Sequence, residues 1–126
     1  MPLIQSSYTP PPFLKGGHVQ TIAAKFYATQ PIDFYRELRL DSTGQTLVAY
    51  DFIVGQPEKP TIVIFHGLEG SSKSHYAQAF ARMAKHRNLP FVVVHFRSCG
   101  GVENTASVFY HSGDSAEISF VLNKIY

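Results

Sequence analysis

Two short, strongly apolar runs constrain the fold of this chain more than any other feature of its sequence. They are Thr61–Phe65 and Phe91–Phe96, and β-branched residues and phenylalanine dominate both. Such runs are typical of strands that are buried on both faces of a sheet. The segment between them, Ser74–Arg87, has apolar residues at helical spacing. These residues are Tyr76, Phe80, Met83 and Ala84. A strand–helix–strand unit of this kind predicts parallel pairing of its strands through a right-handed crossover.

The residues before this unit predict an antiparallel hairpin. Polar and apolar residues alternate over Arg36–Leu40, as in a half-buried strand, and Thr46–Ile53 is a second strand-like run. Between them, Asp41–Gly44 has the composition of a turn. Gly55–Pro60 then forms a polar connection to the first buried strand.

The residues after the unit predict a polar, glycine-containing loop over 97–113 and then a final helix. Asp114 and Glu117 have the spacing of a capping box, in which each side chain accepts a backbone N–H of the other residue. Apolar residues on one face give the helix a stripe suited to packing on a sheet. They are Ile118, Val121, Leu122 and Ile125.

We therefore divide the chain into two parts. Residues 1–35 form an extended N-terminal arm, rich in proline, glycine and serine, with a short helix over Val19–Phe26. Residues 36–126 form a partial α/β domain, in which an antiparallel hairpin is followed by a parallel βαβα unit. A sheet of this class is ordinarily covered by helices on both faces. With four strands and two helices, this chain can cover its sheet only in part.

The composition argues against several classes of function. Apolar residues make up 44% of the 126 residues and charged residues 16%, which favours a packed core over disorder. A net charge of +2 on scattered basic residues does not indicate a nucleic-acid partner. No apolar run approaches the roughly 20 residues of a transmembrane helix, and the N-terminus does not resemble a signal peptide. Cys99 is the single cysteine, so we expect a cytoplasmic protein without an internal disulfide.

The glycine-rich segment after the first buried strand has two chemical interpretations. Gly67–Ser74 matches the phosphate-binding template at three of four fixed positions, with Ser72 where a glycine is required. Glu69 would place a negative charge inside that loop, and no carboxylate ends the second buried strand to help hold magnesium. A nucleotide-binding module that uses Lys73 is therefore an alternative with two of its requirements unmet.

The second interpretation is an oxyanion loop. A glycine turn directly after a central strand frees backbone N–H groups, which can stabilise the negative charge of an acyl-transfer transition state. In α/β-hydrolases one such donor comes from the loop after the third strand. Here that loop is His66-Gly67-Leu68, and the candidate donor is the Leu68 N–H. We expect His66 to shape the loop through hydrogen bonds and not to act as a general base. A tight turn without a chemical role would have the same local sequence.

Six motifs occur in chain order over nearly the whole sequence. They are SYTPP at 7–11, GHVQTI at 17–22, HGLEGSS at 66–72, SHY at 74–76, FRSCGG at 96–101 and YHSG at 110–113. Together they resemble the YheT-like α/β-hydrolases, relatives of the mammalian abhydrolase-domain esterases and lipases. One departure is that the family usually has FRGCSG, so Ser98 and Gly100 exchange the small residues.

The resemblance implies the N-terminal half of an α/β-hydrolase fold, truncated before the nucleophile. It also implies a serine hydrolase, a carboxylesterase or lipase that acts on short- to medium-chain acyl esters. The triad Ser, acid and His are then expected beyond Tyr126, so the chain alone is expected to be inactive. The serine sites at Gly70–Ser74 and Gly113–Glu117 both lack the closing glycine of the elbow motif G-x-S-x-G.

The remaining polar residues indicate neither a metal nor a cofactor. The histidines lack the spacing of metal-ligand pairs, and Cys99 has no recognisable catalytic partner, so we interpret it as a structural thiol. A third alternative is a non-catalytic interaction protein. In the resembling fold, Thr61–Phe65 would lie beside a strand that this chain does not supply, which predicts an apolar edge and self-association.

Overall fold

The computed structural model describes residues 6–26, 31–111 and 113–125. In chain order the elements are a 3-10 turn at Pro12–Leu14, α1 Gly17–Phe26, β1 Tyr35–Leu40, β2 Leu47–Ile53, β3 Ile62–Phe65, α2 His75–His86, β4 Phe91–Val94 and α3 Ser115–Ile125. The predicted helix of the N-terminal arm is confirmed and begins two residues earlier than expected. Residues 1–5 and 27–30 of that arm, Ser112 of the YHSG motif and Tyr126 lie outside the described residues. The division at residue 35 stays a prediction.

The four strands form one mixed sheet in the order β1-β2-β4-β3. β1 and β2 make the predicted antiparallel hairpin, and β2 also pairs antiparallel with β4. β3 and β4 are parallel, with Ile62 opposite Phe91 and Phe65 opposite Val94. The predicted strand–helix–strand unit is therefore confirmed, and its crossover helix is α2.

The core lies on both faces of this sheet. On one face α2 packs against Ile53, Phe91 and Val93, and on the other Val121 of α3 packs against β2 and β4. The α2 residues that are buried are Ala77, Gln78, Ala81 and Ala84. The prediction that Phe80 belongs to this buried face is wrong, because Phe80 is 48% exposed. A face built from alanines lets the helix backbone approach the sheet closely, and a phenylalanine would not fit beneath it.

Two strand predictions need correction. β3 is half-buried along its whole length and not buried on both faces, because it lies at the edge of the sheet. In β1 the apolar Leu38 and Leu40 are 51% and 54% exposed, so they do not form the buried side of the strand. Its polar side is better covered, since the Arg39 guanidinium lies 5.0 Å from the centroid of the Tyr50 ring. β4 is buried as predicted, although the strand ends at Val94.

A buried ion cluster fixes α3 to the hairpin turn. Arg97 is 3% exposed, and its Nε donates to Asp41 of the turn. Its two terminal nitrogens donate to Asp114 at 2.8 Å and to Glu117 at 2.7 Å. Burial opposes ionisation of Asp41, but the hydrogen bonds from Arg97 and from Thr43 outweigh it and lower the pKa of that carboxyl.

This cluster also changes the predicted cap of α3. The Asp114 carboxylate accepts the Glu117 N–H at 3.2 Å, so Asp114 caps the helix as expected. The reciprocal half of the capping box is wrong, because the Glu117 carboxylate accepts the Ser42 N–H at 2.9 Å and a hydrogen bond from Arg97. The stronger, charge-assisted partner has displaced the local backbone partner. None of the described helices has both the length and the apolar character needed to cross a bilayer.

The outer side of β3 carries backbone groups that no described strand covers. Ile62 donates its N–H to the carbonyl of Pro90, the residue before β4, at 2.9 Å. Alternate residues of a strand direct their backbone groups to opposite sides, so Ile64 also faces β4, whereas Val63 and Phe65 face the open edge. We propose that the chain self-associates through this edge, since exposed apolar edges pair readily.

A substitution of Val63 tests this proposal at the level of the backbone. Val63→Pro removes an outward N–H without removing a hydrogen bond to β4, and proline is tolerated at such edge positions. Val63→Ala is the matched control, because it trims the side chain and keeps the N–H. We expect light scattering to show dimers or larger species for the parent chain and for Val63→Ala, and a shift toward monomer for Val63→Pro. A parent chain that stays monomeric at high concentration would contradict the proposal.

Candidate functional site

The site lies where β3 and β4 end, since parallel strands bring their carboxyl ends to one edge of a sheet. Each strand is followed by a histidine, and the rings of His66 and His95 lie 5.6 Å apart between centroids. His66 is 4% exposed and His95 is 1% exposed. Neither ring is therefore presented to a substrate, and each acts through the backbone groups that it contacts.

His66 orients the peptide group at the start of the loop. Its Nε2 accepts the Phe96 N–H at 3.1 Å, so the ring proton lies on Nδ1 and is donated to the Gly67 carbonyl at 2.7 Å. Burial lowers the pKa of His66 and keeps the ring neutral. Since both nitrogens are occupied, His66 is not available as a base, and it shapes the loop as the sequence predicts.

His95 holds the other end of the loop. Its Nε2 accepts the Ser72 N–H at 3.1 Å, and its Nδ1 donates to the Ala49 carbonyl at 3.0 Å. Asp51 lies 3.7 Å from Nε2, which places a serine, a histidine and an aspartate together. They are not a catalytic triad, because the lone pair that would accept a serine proton is already occupied by a backbone N–H.

Asp51 is a buried carboxylate in the middle of β2, and Arg36 of β1 neutralises it. The guanidinium makes two hydrogen bonds to this carboxylate, at 2.6 and 2.7 Å, and a third to the Gly100 carbonyl at 2.7 Å. Burial opposes ionisation of Asp51, but the bonds from Arg36 and Ser72 prevail and lower its pKa. The pair connects the hairpin to both loops of the site.

The loop begins with a tight turn. The Gly70 N–H donates to the Gly67 carbonyl at 2.9 Å, so Leu68 and Glu69 are the central residues of the turn. Glu69 has φ of 51°, a left-handed conformation that is unusual for a residue with a side chain. Gly70 is required by space, because a Cβ there would lie 2.8 Å from the Tyr76 hydroxyl.

Nearly all backbone N–H groups of the loop have partners within the chain. Gly67 donates to the Tyr76 hydroxyl at 3.2 Å, Glu69 to the Tyr110 hydroxyl at 2.9 Å, Gly70 to Gly67, Ser71 to the Ser74 hydroxyl at 3.1 Å, Ser72 to His95, Lys73 to the Ser71 hydroxyl at 3.2 Å and Ser74 to the Ser71 carbonyl at 2.9 Å. Leu68 is the exception, because its N–H contacts no acceptor among the described residues. The candidate donor from the sequence is thus the amide that remains free.

The direction of this free N–H follows from the peptide group to which it belongs. The Gly67 carbonyl and the Leu68 N–H lie on opposite sides of one planar peptide. The carbonyl accepts two hydrogen bonds, from the His66 ring at 2.7 Å and from Gly70 at 2.9 Å. With its carbonyl held in this way, the peptide directs the Leu68 N–H away from the loop interior.

The same hydrogen bonds argue against a phosphate-binding loop. Such a loop needs several consecutive free N–H groups that converge on the anion. Here the amides of residues 69–74 are all donated to groups of the chain itself. Lys73 is exposed, so its charge alone would face an incoming nucleotide.

A cavity of about 1020 Å³ lies beside the turn. One side is formed by the loop and by Tyr76, and the other by the segment Pro31–Phe34 that precedes β1. Gln78 of α2 connects these two sides, since it accepts the Ile32 N–H at 2.7 Å and donates to the Ser72 carbonyl at 2.6 Å. Ile32, Phe34 and Tyr76 contribute apolar surface to the cavity, and Asp33, Glu69 and Lys73 contribute charged groups to its lining.

Several residues of the site were missed by the sequence analysis. The sequence predicts a helix position for Tyr76 and a motif position for Tyr110, and it does not predict that either hydroxyl accepts an amide of the loop. Asp51 carried a usable signal, because a charged residue within a buried strand needs a partner.

For Cys99, burial raises the pKa of the thiol and the bond with Tyr110 only partly offsets this, which agrees with a structural role. Among the described residues, no three His, Cys or carboxylate side chains are placed to hold a metal ion.

The two buried histidines make the stability of the site depend on pH. Burial lowers the pKa of both His66 and His95 below the ordinary value of 6.5. The unfolded chain therefore binds more protons than the folded chain as the pH falls through about 6.5, and stability must decrease there. We expect the urea midpoint to fall between pH 7.5 and 5.5, and to fall less in His95→Gln. Substitution of the exposed His18 by Gln is the control. If both variants reduce the pH dependence of the urea midpoint equally, this assignment to His95 is wrong.

Two known proteins are similar to this chain in amino-acid sequence. It is 34% identical over 108 residues to a protein of Escherichia coli K12 described as putative esterase YheT, covering 83% of this chain and 32% of that protein. It is 31% identical over 127 aligned positions to an abhydrolase domain-containing protein of Dictyostelium discoideum, covering 95% and 32%. No protein-family model matches the chain.

A solved structure supports the same fold. Mouse alpha/beta hydrolase domain-containing protein 10 aligns with a TM-score of 0.52 and 15% identity over 72% of this chain and 34% of the mouse protein. The predicted fold class, a partial α/β-hydrolase fold, is thereby confirmed. The chain spans about a third of the length of the curated relatives it matches.

Proposed function

Because the chain belongs to the YheT-like abhydrolase family of α/β-hydrolases, we propose that it supplies half of an oxyanion hole to a carboxylic ester hydrolase. The free Leu68 N–H carries this proposal. Among the backbone amides of residues 67–74, it alone makes no hydrogen bond to the described residues. Leu68 also lines the cavity. In the proposed reaction a serine nucleophile attacks an ester carbonyl, and the Leu68 N–H donates to the oxygen as it becomes negative.

The substrate that suits the cavity is a short- or medium-chain acyl ester. The apolar part of the cavity lining, formed by Ile32, Phe34 and Tyr76, would remove the acyl chain from water, which is worth about 0.8 kcal/mol for each buried CH2 group. The second oxyanion donor in this fold is the N–H that follows the nucleophile. We propose that the nucleophile, the acid and the catalytic histidine are supplied by the part of the enzyme that this chain does not cover.

A cytoplasmic location, suited to the free thiol of Cys99, is part of the same proposal.

The isolated chain is then expected to lack esterase activity. Ser72 contacts the buried His95 through its backbone N–H, and both nitrogens of that ring are bonded to backbone groups, so this ring cannot activate the Ser72 hydroxyl. We expect no hydrolysis of p-nitrophenyl butyrate above the buffer rate and no labelling by a serine-directed fluorophosphonate. Turnover that is abolished by the fluorophosphonate would show that the chain carries its own nucleophile.

A chimera tests the proposed donor. In the Escherichia coli relative, this chain would replace the segment that it matches, and hydrolysis of p-nitrophenyl butyrate would be compared with the unmodified relative. Leu68→Pro removes the N–H at a turn position where proline is favoured, so the turn is kept. We expect kcat to fall by about 10²- to 10³-fold.

Leu68→Ala is the matched control for this experiment. It keeps the N–H and removes most of a side chain that is 87% exposed, so we expect kcat to stay within about twofold of the parent chimera. If the chimera is active and Leu68→Pro leaves kcat unchanged, Leu68 is not an oxyanion donor. If Leu68→Ala is as damaging as Leu68→Pro, the side chain and not the amide is responsible.

A further inference from the structure

We infer that Tyr76 and Tyr110 are positioning residues that hold the peptide groups on both sides of the Leu68 N–H. This inference rests on the proposed function of that N–H. The two hydroxyls accept the N–H groups of Gly67 and Glu69, at 3.2 and 2.9 Å. The two amides that flank Leu68 are therefore satisfied by side chains from α2 and from the loop after β4.

Tyr110 is held firmly enough to act as a fixed acceptor. Its ring stacks on Phe96, with centroids 5.3 Å apart and an interplanar angle of 5°. It also meets the edge of the His66 ring, with centroids 6.3 Å apart. The ring that carries the hydroxyl therefore packs against His66, which orients the Gly67–Leu68 peptide, and against Phe96, whose N–H donates to His66.

Tyr76 acts from the opposite side. It lies in the first turn of α2, and its hydroxyl reaches back to the Gly67 N–H. A Cβ at Gly70 would lie 2.8 Å from the same hydroxyl, so Tyr76 fills the space beside that glycine. Tyr76 therefore connects the first residue of the turn, Gly67, to α2.

Hydrogen bonds are needed here because the turn has little steric restraint of its own. Gly67 has no Cβ, and apart from its chain neighbours no atom lies within 4 Å of the place where one would be, so no side-chain contact restricts its backbone angles. Glu69 is in the left-handed region, which a side-chain residue leaves readily unless its backbone is held. Acceptors on both sides keep the Leu68 N–H in one direction.

Amide hydrogen exchange in the isolated chain tests the hydrogen bonds themselves. We expect the Leu68 amide to exchange faster, relative to its intrinsic rate, than those of Gly67 and Glu69. Tyr110→Phe keeps the stacked ring and removes the acceptor, so exchange at Glu69 should rise about tenfold, as for loss of one neutral hydrogen bond. Tyr76→Phe should do the same at Gly67 alone. Tyr35→Phe, at an exposed tyrosine, is the control and should change neither.

The chimera tests whether this geometry serves catalysis. A positioning role predicts that Tyr110→Phe and Tyr76→Phe each lower kcat by about ten- to a hundredfold, with KM changed by no more than about twofold. A purely structural role would lower the amount of folded protein and leave kcat per folded molecule unchanged. If Leu68→Pro abolishes activity and the tyrosine variants do not alter kcat, the inference is wrong and the proposed donor stands.

The other outcomes separate the two claims. If Leu68→Pro has no effect on kcat in an active chimera, the proposed function fails. An inactive chimera leaves the decision to hydrogen exchange, where equal protection of Leu68, Gly67 and Glu69 in the parent chain would overturn the inference. Unchanged exchange at Glu69 in Tyr110→Phe would overturn it as well.

Discussion

The parallel pairing of β3 with β4 is the constraint on which the site depends. It brings the residues after both strands to one edge of the sheet, and a histidine follows each strand. His66 donates to its own loop and accepts from the backbone after β4, and His95 accepts from the loop after β3. These cross-connections turn two adjacent loops into one rigid unit. This rigidity supports the proposed role of the Leu68 N–H, because an oxyanion donor is effective only when it is oriented before the reaction.

Buried charge fixes the remaining parts around this unit. The Arg97 cluster places one guanidinium among three carboxylates, and Arg36 with Asp51 forms a second, bidentate pair. Arginine suits both positions, because its planar group can serve several oxygens at once while staying charged. Arg97, Asp41 and Glu117 are buried, and loss of one partner of such a cluster costs about 3–5 kcal/mol, since the remaining charge is left without compensation. The Arg36 side chain is 42% exposed, so water screens part of its charge and its loss costs less. The clusters therefore define where α3 and the hairpin can sit.

The fold could be predicted from periodicity and composition to a large extent. The β-branched run before His66 and the valines of β4 indicated the paired strands correctly, and the alternation before Asp41 indicated the hairpin. The errors have a common physical cause. The degree of burial of β3, the exposure of Phe80 and of Leu38, and the partner of Glu117 all depend on what lies opposite, which is long-range information. Local pattern reports whether a segment can be buried, and the neighbouring elements decide whether it is.

For the site, the sequence by itself determined the loop, its glycines and the amide of Leu68 as the candidate donor. It did so because the loop after the third strand supplies an oxyanion donor in α/β-hydrolases, and in this sequence that loop is His66-Gly67-Leu68. Only the tertiary structure decided which N–H groups of that loop are free. Their acceptors, Tyr76, Tyr110 and His95, come from separate elements up to 41 residues away in the chain. No local pattern records such pairings, since they form when packing brings the side chains to the loop.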